Sequence, residues 1–490
     1  MAKIDVFSEN KPKLRFERYA TKELGLILLS AITMLAISPW INDPDQQNVF
    51  SGFVALYYAH NLYSGLAYSY PPLAAYFEFI PLFILHLIVP IDRWSVYSYA
   101  AQSLAERITY LSPVVYSPAF DFAYKIPMIA STLITGVLLL KIGKTVGLER
   151  KKLDFLLISY IFNPFVIFEA SIHSPIDCFA APIITGFVYA FSLRKHFTAG
   201  LLLSIGVFTI SFPGYLIVLA SAVYVTRIIL WRRDFSRDSL INLSKFFTGM
   251  MLPAGILYEY LGNFIHLYIN IYNPGGSLFV GFSNSGIWGI FNSYFGIFSL
   301  ISKEYTVFFN VYFPKFLSVG LLTLFFVAGI FIALFERKKE KYYGYSFVDN
   351  SKFIILVLIA FIFFTPGSNP WWYLWFLPLL LLNGAKYKPL MAIYYAFSIW
   401  GLFFETILLG DPIFNSFSLS VFVHAISDTS IVITSLAFWN FFSSYHFFFW
   451  NFSSLTGGVI LLVAIALILI SRRTDGSSRS LYNQVAGNFR

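Results

Sequence analysis

DFAYKIPMIASTLITGVLLLK, residues 121–141, is the stretch of sequence that most directly indicates the fold. Its length matches the roughly 20 apolar residues that a helix needs to cross a bilayer. Similar apolar runs recur along the chain, and inside lipid only a helix satisfies every backbone group of such a run. The sequence therefore predicts an all-α, polytopic membrane helical bundle with about 11–14 transmembrane helices.

The composition also indicates a membrane protein. Of the 490 residues, 58% are hydrophobic and 12% are charged, and the mean hydropathy is +0.69. A soluble domain has about 45–50% apolar and about 25% charged residues, so a soluble core does not account for the excess. The single cysteine, Cys178, excludes an intramolecular disulfide and a cysteine metal cluster. Motifs of soluble nucleotide chemistry, such as GxGxxG, do not occur.

The apolar runs divide the chain into membrane segments and loops. The candidate spans are 23–40, 72–90, 121–141, 154–170, 177–193, 197–211, 213–231, 246–263, 315–335, 352–366, 371–384, 388–409 and 454–471, with less certain ones near 287–302 and 414–440. The predicted organisation is a cytoplasmic tail at 1–22, an N-terminal membrane module at 23–263 with an extracytoplasmic loop at 42–71, an extracytoplasmic loop region at 264–314, C-terminal membrane helices at 315–471 and a cytoplasmic tail at 472–490.

The basic residues follow the pattern of cytoplasmic loops. The formal charge is +9, and the Lys and Arg residues cluster at the ends of the apolar runs, which indicates membrane orientation and not nucleic-acid binding. One segment leaves the topology open. If 72–90 is a span, KIGKTVGLERKK at 141–152 lies outside, against the charge rule. Either 91–120 contains another crossing or the rule fails here.

Two carboxylates, Asp43 and Asp45, follow the first apolar run. A carboxylate at the mouth of a membrane cavity can act as a general base on an acceptor hydroxyl. Asp-Pro-Asp is also a sequence that favours a turn, so a helix cap and turn after the first span is the alternative interpretation of these residues. Behind the acids comes a tyrosine-rich segment that ends in Tyr68-Ser69-Tyr70-Pro71-Pro72.

Three further segments carry candidate site residues. In NPFVIFEASIHSPID, 163–177, the residues Glu169, His173 and Asp177 recur every four positions, which places them on one helix face unless Pro175 ends the helix first. A solvated loop is the alternative reading. TPGSNPWWYLWFLPLLLL, 365–382, offers Trp371 and Trp372 for stacking on a sugar or gripping a headgroup, or as an interfacial aromatic belt. The loop 264–314 contributes His266.

The ordered set of these motifs resembles the GT-C superfamily of multi-span glycosyltransferases, and most closely the GPI mannosyltransferase type and its prokaryotic relatives. Four elements carry the resemblance, and they cover most of residues 23–380. They are Asp43-Pro44-Asp45, the passage from Leu62-Tyr63-Ser64-Gly65 to Tyr68-Ser69-Tyr70-Pro71-Pro72-Leu73, Asn163-Pro164 with His173-Ser174-Pro175-Ile176-Asp177, and Pro370-Trp371-Trp372-Tyr373-Leu374-Trp375-Phe376-Leu377-Pro378. The resemblance implies a small amphipathic helix after the acids.

The resemblance implies an inverting transfer of a hexose, with mannose as one candidate, from a polyprenyl- or dolichyl-phosphate donor to a lipid-linked or glycan acceptor on the extracytoplasmic side. Asp43 or Asp45 would be the base. Lys125, Arg107 or His173 would supply the cation at the leaving phosphate, and a divalent cation there stays open as a cofactor. The substrate-binding set is Tyr68, Tyr70, His173, Asp177, Trp371, Trp372, Lys125, Arg107 and His266, with no protein metal site.

Two departures from the family pattern keep alternatives open. Ser211-Phe212-Pro213 lacks the lysine that the family commonly has before its proline, and His173 stands where an arginine is frequent. A non-catalytic GT-C-like subunit or lipid-binding scaffold, similar to a GPI transamidase subunit, is therefore the second hypothesis. A transporter is the third, although the inverted repeats it predicts are not found. The expected location is a prokaryotic cell membrane, archaeal by preference, or the endoplasmic reticulum membrane in a eukaryote.

Overall fold

The fold is known from a computed structural model. It describes residues 13–40, 46–63, 68, 70–98, 114–210, 214–230, 237–260, 262–263, 319–331, 346–364, 370–407 and 456–470. The helices in these ranges are α1 Lys13–Ile37, α2 Gln46–Ala59, α3 Pro72–His86, α4 Pro118–Thr145, α5 Arg150–Ile161, α6 Pro164–Phe168, α7 Ala180–Ser192, α8 His196–Ile210, α9 Gly214–Leu230, α10 Arg237–Ile256, α11 Val319–Phe331, α12 Ser346–Phe364, α13 Leu377–Gly384, α14 Lys388–Ile407 and α15 Thr456–Ile470.

Short elements join some of these helices. They are 3-10 turns at Ser38–Trp40, Ile91–Arg93, Ile176–Phe179, Tyr258–Tyr260 and Pro370–Trp375, a π-helical turn at Glu169–His173, and strands β1 Ser95–Ser98 and β2 Val114–Tyr116. The strands pair antiparallel, with Ser98 opposite Val114. Apart from this short ladder, the regular structure in the described ranges is helical, as the all-α prediction states.

In the N-terminal part of the structure, helix α1 runs antiparallel to helix α4. Lys125, on the second turn of α4, donates to the carbonyl oxygen of Ser38 just beyond the end of α1 (3.1 Å). At the other end of α4, Lys144 lies 3.3 Å from Glu23, near the start of the apolar part of α1. We call the end of the bundle that holds Ser38 and Lys125 the site end, and the end that holds Glu23 and Lys144 the charged end.

The charged end is tied together by an ion-pair network. Arg150, at the start of α5, contacts Glu23 at 2.9 Å and Asp154 at 3.3 Å, and Lys22 contacts Asp154 at 2.6 Å. The basic segment 141–152 therefore lies at the same end as the basic residues that precede the first apolar run. Their placement at one end agrees with the charge rule.

Helix α3 differs from the span predicted at 72–90, because both of its ends lie at the site end. Near its start, the ring of Phe77 lies 5.4 Å from that of Phe179. Just after it, Trp94 packs 5.5 Å from Phe120 on the first turn of α4. The ladder then returns the chain directly to α4. At 15 residues α3 is about 22 Å long, shorter than the roughly 30 Å of a bilayer core.

Helices α5 and α6 follow α4 and form one helical segment that is interrupted by a bend. The bend between Arg150–Ile161 and the helical run Pro164–His173 is 44°. Asn163 caps α6, its side-chain oxygen accepting from the backbone N–H of Phe165 at 3.0 Å, and it donates to Tyr394 (2.6 Å) and Ser398 (2.7 Å) of α14. Asn163-Pro164 thus anchors this break to the C-terminal helices.

Glycine brings α8 and α10 into backbone contact. A Cβ on Gly200 would lie 2.0 Å from the carbonyl oxygen of Phe246, and one on Gly249 would lie 2.1 Å from that of Phe197. The two helices run parallel, because Phe208 packs against Leu257 further along. Small residues at such crossings are typical of helices that associate within a membrane.

In the described ranges, few helices are both long enough and apolar enough to span a membrane. Among the described residues, α4 is the one helix long and apolar enough to cross a bilayer, and the bent pair of Arg150–Ile161 and Pro164–His173 counts as a second if it is one span. Six shorter apolar helices accompany them. Large apolar side chains nevertheless stay exposed along one stripe of α1, where Leu24, Leu28, Leu29 and Ile32 are each more than half exposed. Such a stripe indicates contact with lipid or with another protein.

Candidate functional site

The first turns of α4 hold the chain on both sides of the acidic segment. Asp121 and Lys125 lie four residues apart on α4 and are fully buried. Asp121 accepts a 2.6 Å hydrogen bond from the amide of Gln46, which begins α2, and Lys125 donates to Ser38. The helix that the family resemblance implies after the acids is present as α2. Two points that flank residues 41–45 are therefore bound to one helix.

Four of the predicted site residues lie outside the described residues. They are Asp43, Asp45, Arg107 and His266. Ser211, Phe212 and Pro213, where the family has its lysine, lie outside them too. The predicted base, two of the predicted substrate contacts and one departure from the family pattern thus stay predictions from the sequence.

His173 lies at the end of the π-helical turn that follows α6. Its Nδ1 is 2.9 Å from Oε2 of Glu169, and the His173 ring meets the ring of Trp371 edge-on at 4.6 Å. The chain turns at Ser174, which has the left-handed backbone (φ 54°), before Pro175. The spacing of four therefore brings Glu169 and His173 together as predicted, while Asp177 belongs to the next turn.

The aromatic turn Pro370–Trp375 lies against this segment. Trp375 donates through Nε1 to Asp177 Oδ1 at 2.8 Å and stacks on Trp372 at 4.8 Å. Trp372 is buried, with 6% of its surface exposed, whereas Trp371 is half-buried beside His173. Of the two predicted tryptophans, Trp371 is the one that retains a surface for a ligand.

Tyr68 and Tyr70, which precede α3, pack against each other. Tyr68 is buried over Gly52, where an added Cβ would come 2.4 Å from its ring, and its hydroxyl donates to Glu78 at 3.2 Å. Burial, followed by the neighbouring Glu78 carboxylate, holds the pKa of Tyr68 well above its ordinary value, so the phenol keeps its proton. Tyr70 is half-buried and meets the Tyr68 ring edge-on at 5.7 Å. Tyr70 therefore offers more accessible surface than Tyr68.

Several polar residues at the site end were not singled out from the sequence. Gln46, Asp121 and Glu78 are fully buried, and Tyr124 donates to the carbonyl oxygen of Ser174 at 2.9 Å, which ties α4 to the turn after His173. Asp121 could have been identified from the sequence, because burying an Asp and a Lys four residues apart on an apolar helix is energetically unfavourable unless they have partners. Gln46 carries no comparable signal.

These contacts give the site end a defined chemistry. A buried ammonium (Lys125), a carboxylate–imidazole pair (Glu169 and His173) and a half-buried tryptophan (Trp371) are joined through α4 and the turn at Ser174. Such groups suit the binding of a phosphate and the stacking of a sugar ring. Within the described ranges, no cluster of three or more His, Cys, Asp or Glu side chains is arranged to hold a metal ion.

Comparisons with known proteins give weak structural similarity. No protein-family model matches the chain, and no curated protein matches it. A solved structure with some similarity is that of ArnT from Cupriavidus metallidurans bound to undecaprenyl phosphate, with 12% identity and a TM-score of 0.41, covering 90% of this chain and 77% of that chain. A similarity of this size does not establish a shared fold or function.

Proposed function

We propose that the protein is an integral membrane glycosyltransferase of the GT-C type that uses a polyprenyl- or dolichyl-phosphate-linked hexose as donor. The observation that carries the proposal is the anchoring of the two residues that flank the acidic segment in the sequence: Ser38 and Gln46 both bond to buried polar groups of α4. Burying Asp121 and Lys125 is energetically unfavourable, and holding Ser38 and Gln46 in place is a reason to retain them.

The reaction is a single displacement at the anomeric carbon. Asp43 or Asp45 takes the proton from the acceptor hydroxyl, and that oxygen forms a bond to C1 of the sugar. The bond from C1 to the phosphate oxygen breaks, its electron pair stays on the polyprenyl phosphate, and the configuration at C1 inverts. Lys125, Arg107 or His173 offsets the charge on the leaving phosphate. Mannose as the sugar, a lipid-linked or glycan acceptor, and the extracytoplasmic side remain part of this proposal.

Single substitutions of the acids test the base. Asp43→Asn and Asp45→Asn keep side-chain size and remove the charge, and the substitution at the base is expected to lower sugar transfer in proteoliposomes by about 10²–10⁴-fold. Asp92→Asn is the control, because Asp92 is an exposed acid of the 3-10 turn after α3. Wild-type transfer by both acid variants contradicts the assignment.

A non-catalytic, lipid-binding scaffold is the second candidate. The observation that favours it is that polar side chains of the site end bond to one another, as Gln46 does to Asp121 and Tyr68 to Glu78. Polyprenyl phosphate binding without sugar transfer, unaffected by the acid substitutions, is the result that supports this candidate.

A further inference from the structure

The π-helical turn Glu169–His173 is an unusual local structure at the site end. The N–H of Ser174 donates to the carbonyl oxygen of Glu169 at 2.7 Å, and Ser174 then adopts φ 54° although it is not glycine. The left-handed backbone is strained for a residue other than glycine, and π-helical turns are frequent at functional sites. Glu169 begins this turn and His173 ends it, and His173 Nδ1 lies 2.9 Å from Glu169 Oε2.

Burial of Glu169 at this position is energetically unfavourable. It is fully buried, and one carboxylate oxygen, Oε2, contacts His173 while the other, Oε1, has no hydrogen-bond partner within the described part of the chain. Ser171, in the same turn, is also buried with an unpartnered hydroxyl there. A buried carboxylate that is half satisfied destabilises the fold, so its effect on His173 is the reason to retain it.

Helices α1 and α4 pack against the π-helical turn, and the side chains around it include apolar, polar and ionisable groups. From α4, Tyr124 bonds to the backbone of Ser174, and Lys125 follows it in the chain. Met34 and Leu35 of α1 and Ile167 of α6 pack here as apolar groups. Cys178 donates to the carbonyl oxygen of Glu169 at 3.5 Å, Asp177 accepts from Trp375, and Trp371 meets the imidazole edge-on.

We propose that Glu169 is a positioning residue that holds His173 as an imidazolium whose Nε2–H hydrogen-bonds the phosphate of the polyprenyl phosphate. This inference rests on the proposed function. The carboxylate accepts Nδ1–H, fixes the plane of the ring and favours its charged form. His173 is the outer member of the pair, since its side chain retains 9% exposure and that of Glu169 none. The pair thereby supplies the charge that an arginine would carry permanently.

Binding measurements across pH test this role. The probe is a polyprenyl monophosphate added to the full-length protein in detergent micelles, between about pH 6 and about pH 9. An imidazolium is present at low pH and is lost as the pH rises. Glu169→Gln keeps an acceptor for Nδ1–H and removes the charge, so its binding is expected to fall at lower pH than wild-type binding, and to be about tenfold weaker near neutral pH.

A permanent cation provides the decisive rescue. His173→Arg in the Glu169→Gln background is expected to restore binding and to remove the loss of binding that wild type shows as the pH rises, because arginine keeps its charge over this range. A merely structural role of Glu169 does not explain such a rescue. Ser171→Ala, in the same turn, is the control and is expected to bind like wild type. The uncharged polyprenol is expected not to compete, and competition by inorganic phosphate at equal concentration would show a site for free phosphate, overturning the lipid assignment.

Three results overturn the inference. They are a Glu169→Gln pH curve equal to the wild-type curve, failure of the His173→Arg rescue, and equal losses in Ser171→Ala. If the wild-type protein transfers sugar while Glu169→Gln binds normally, this inference fails and the proposed function stands. If the wild-type protein neither binds the polyprenyl phosphate nor transfers sugar, both fail.

Discussion

At the scale of residues, the site end is built from polar groups, and only some of them can be predicted from the sequence. The spacing of Glu169 and His173 is readable, because four residues make one helical turn. The bond between Gln46 and Asp121 is not readable, since it joins residues 75 positions apart that only the packing of α2 on α4 brings together. Trp371 and Trp372 are adjacent in the sequence, yet their different exposure depends on Trp375 stacking over Trp372.

Lys125 is expected to support sugar transfer by holding the end of α1 in place. Lys125→Met keeps the length of the side chain but leaves the carbonyl oxygen of Ser38 without the donor it has at 3.1 Å. We expect sugar transfer to fall at least about tenfold, as an unpaired buried acceptor costs about 1–3 kcal/mol and shifts the end of α1. Lys152→Met, at an exposed lysine of α5, is the control in the same transfer assay. Equal activity of the two variants contradicts the role of Lys125.

At the scale of elements, hydropathy locates helices better than it assigns their direction. The run at 121–141 is confirmed as part of α4. The run at 72–90 is helical too, but α3 lies across the site end, because Phe77 and Trp94 bind both of its ends to neighbouring residues there. An apolar face that packs on aromatic side chains and one that faces lipid have the same composition, so the sequence does not separate them.

The contact of α8 with α10 gives an element-scale prediction. Gly200→Ala and Gly249→Ala each place a methyl group about 2 Å from a backbone oxygen of the other helix, so the helices must separate. Each is expected to lower stability by roughly 1–3 kcal/mol, measured by thermal unfolding in detergent. Gly255→Ala in α10 is the matched control, since nothing lies within 4 Å of its added Cβ. Equal melting temperatures for Gly249→Ala and Gly255→Ala contradict the close crossing.

At the scale of the whole molecule, the two ends of the N-terminal bundle differ in chemistry. The charged end has partly exposed ion pairs around Glu23 and Arg150, and the site end has buried polar groups around Asp121 and Lys125. The composition predicts a membrane bundle, and the antiparallel pairing of α1 with α4 places Ser38 at one end and the segment 141–152 at the other. The hydrophobicity pattern leaves this assignment open because it carries no direction.

This arrangement predicts the orientation of two exposed positions. In a Cys178→Ser background, Asp92→Cys lies at the site end and Lys151→Cys at the charged end. In sealed, right-side-out vesicles, a membrane-impermeant thiol reagent is expected to label position 92 and to reach position 151 only after permeabilisation. Labelling of both positions from the same side contradicts the pairing of α1 with α4.

The most direct test of the account is transfer of sugar from its donor. Purified protein in liposomes receives a radiolabelled polyprenyl-phosphate hexose and a membrane glycolipid extract as acceptor. The wild-type protein is predicted to move label to the acceptor and to release one polyprenyl phosphate per sugar, and the variant carrying both Asp43→Asn and Asp45→Asn is predicted to lose at least about 10²-fold of this activity. Transfer at the wild-type rate by the double variant, or no transfer by the wild-type protein from any polyprenyl-phosphate hexose tested, would contradict it.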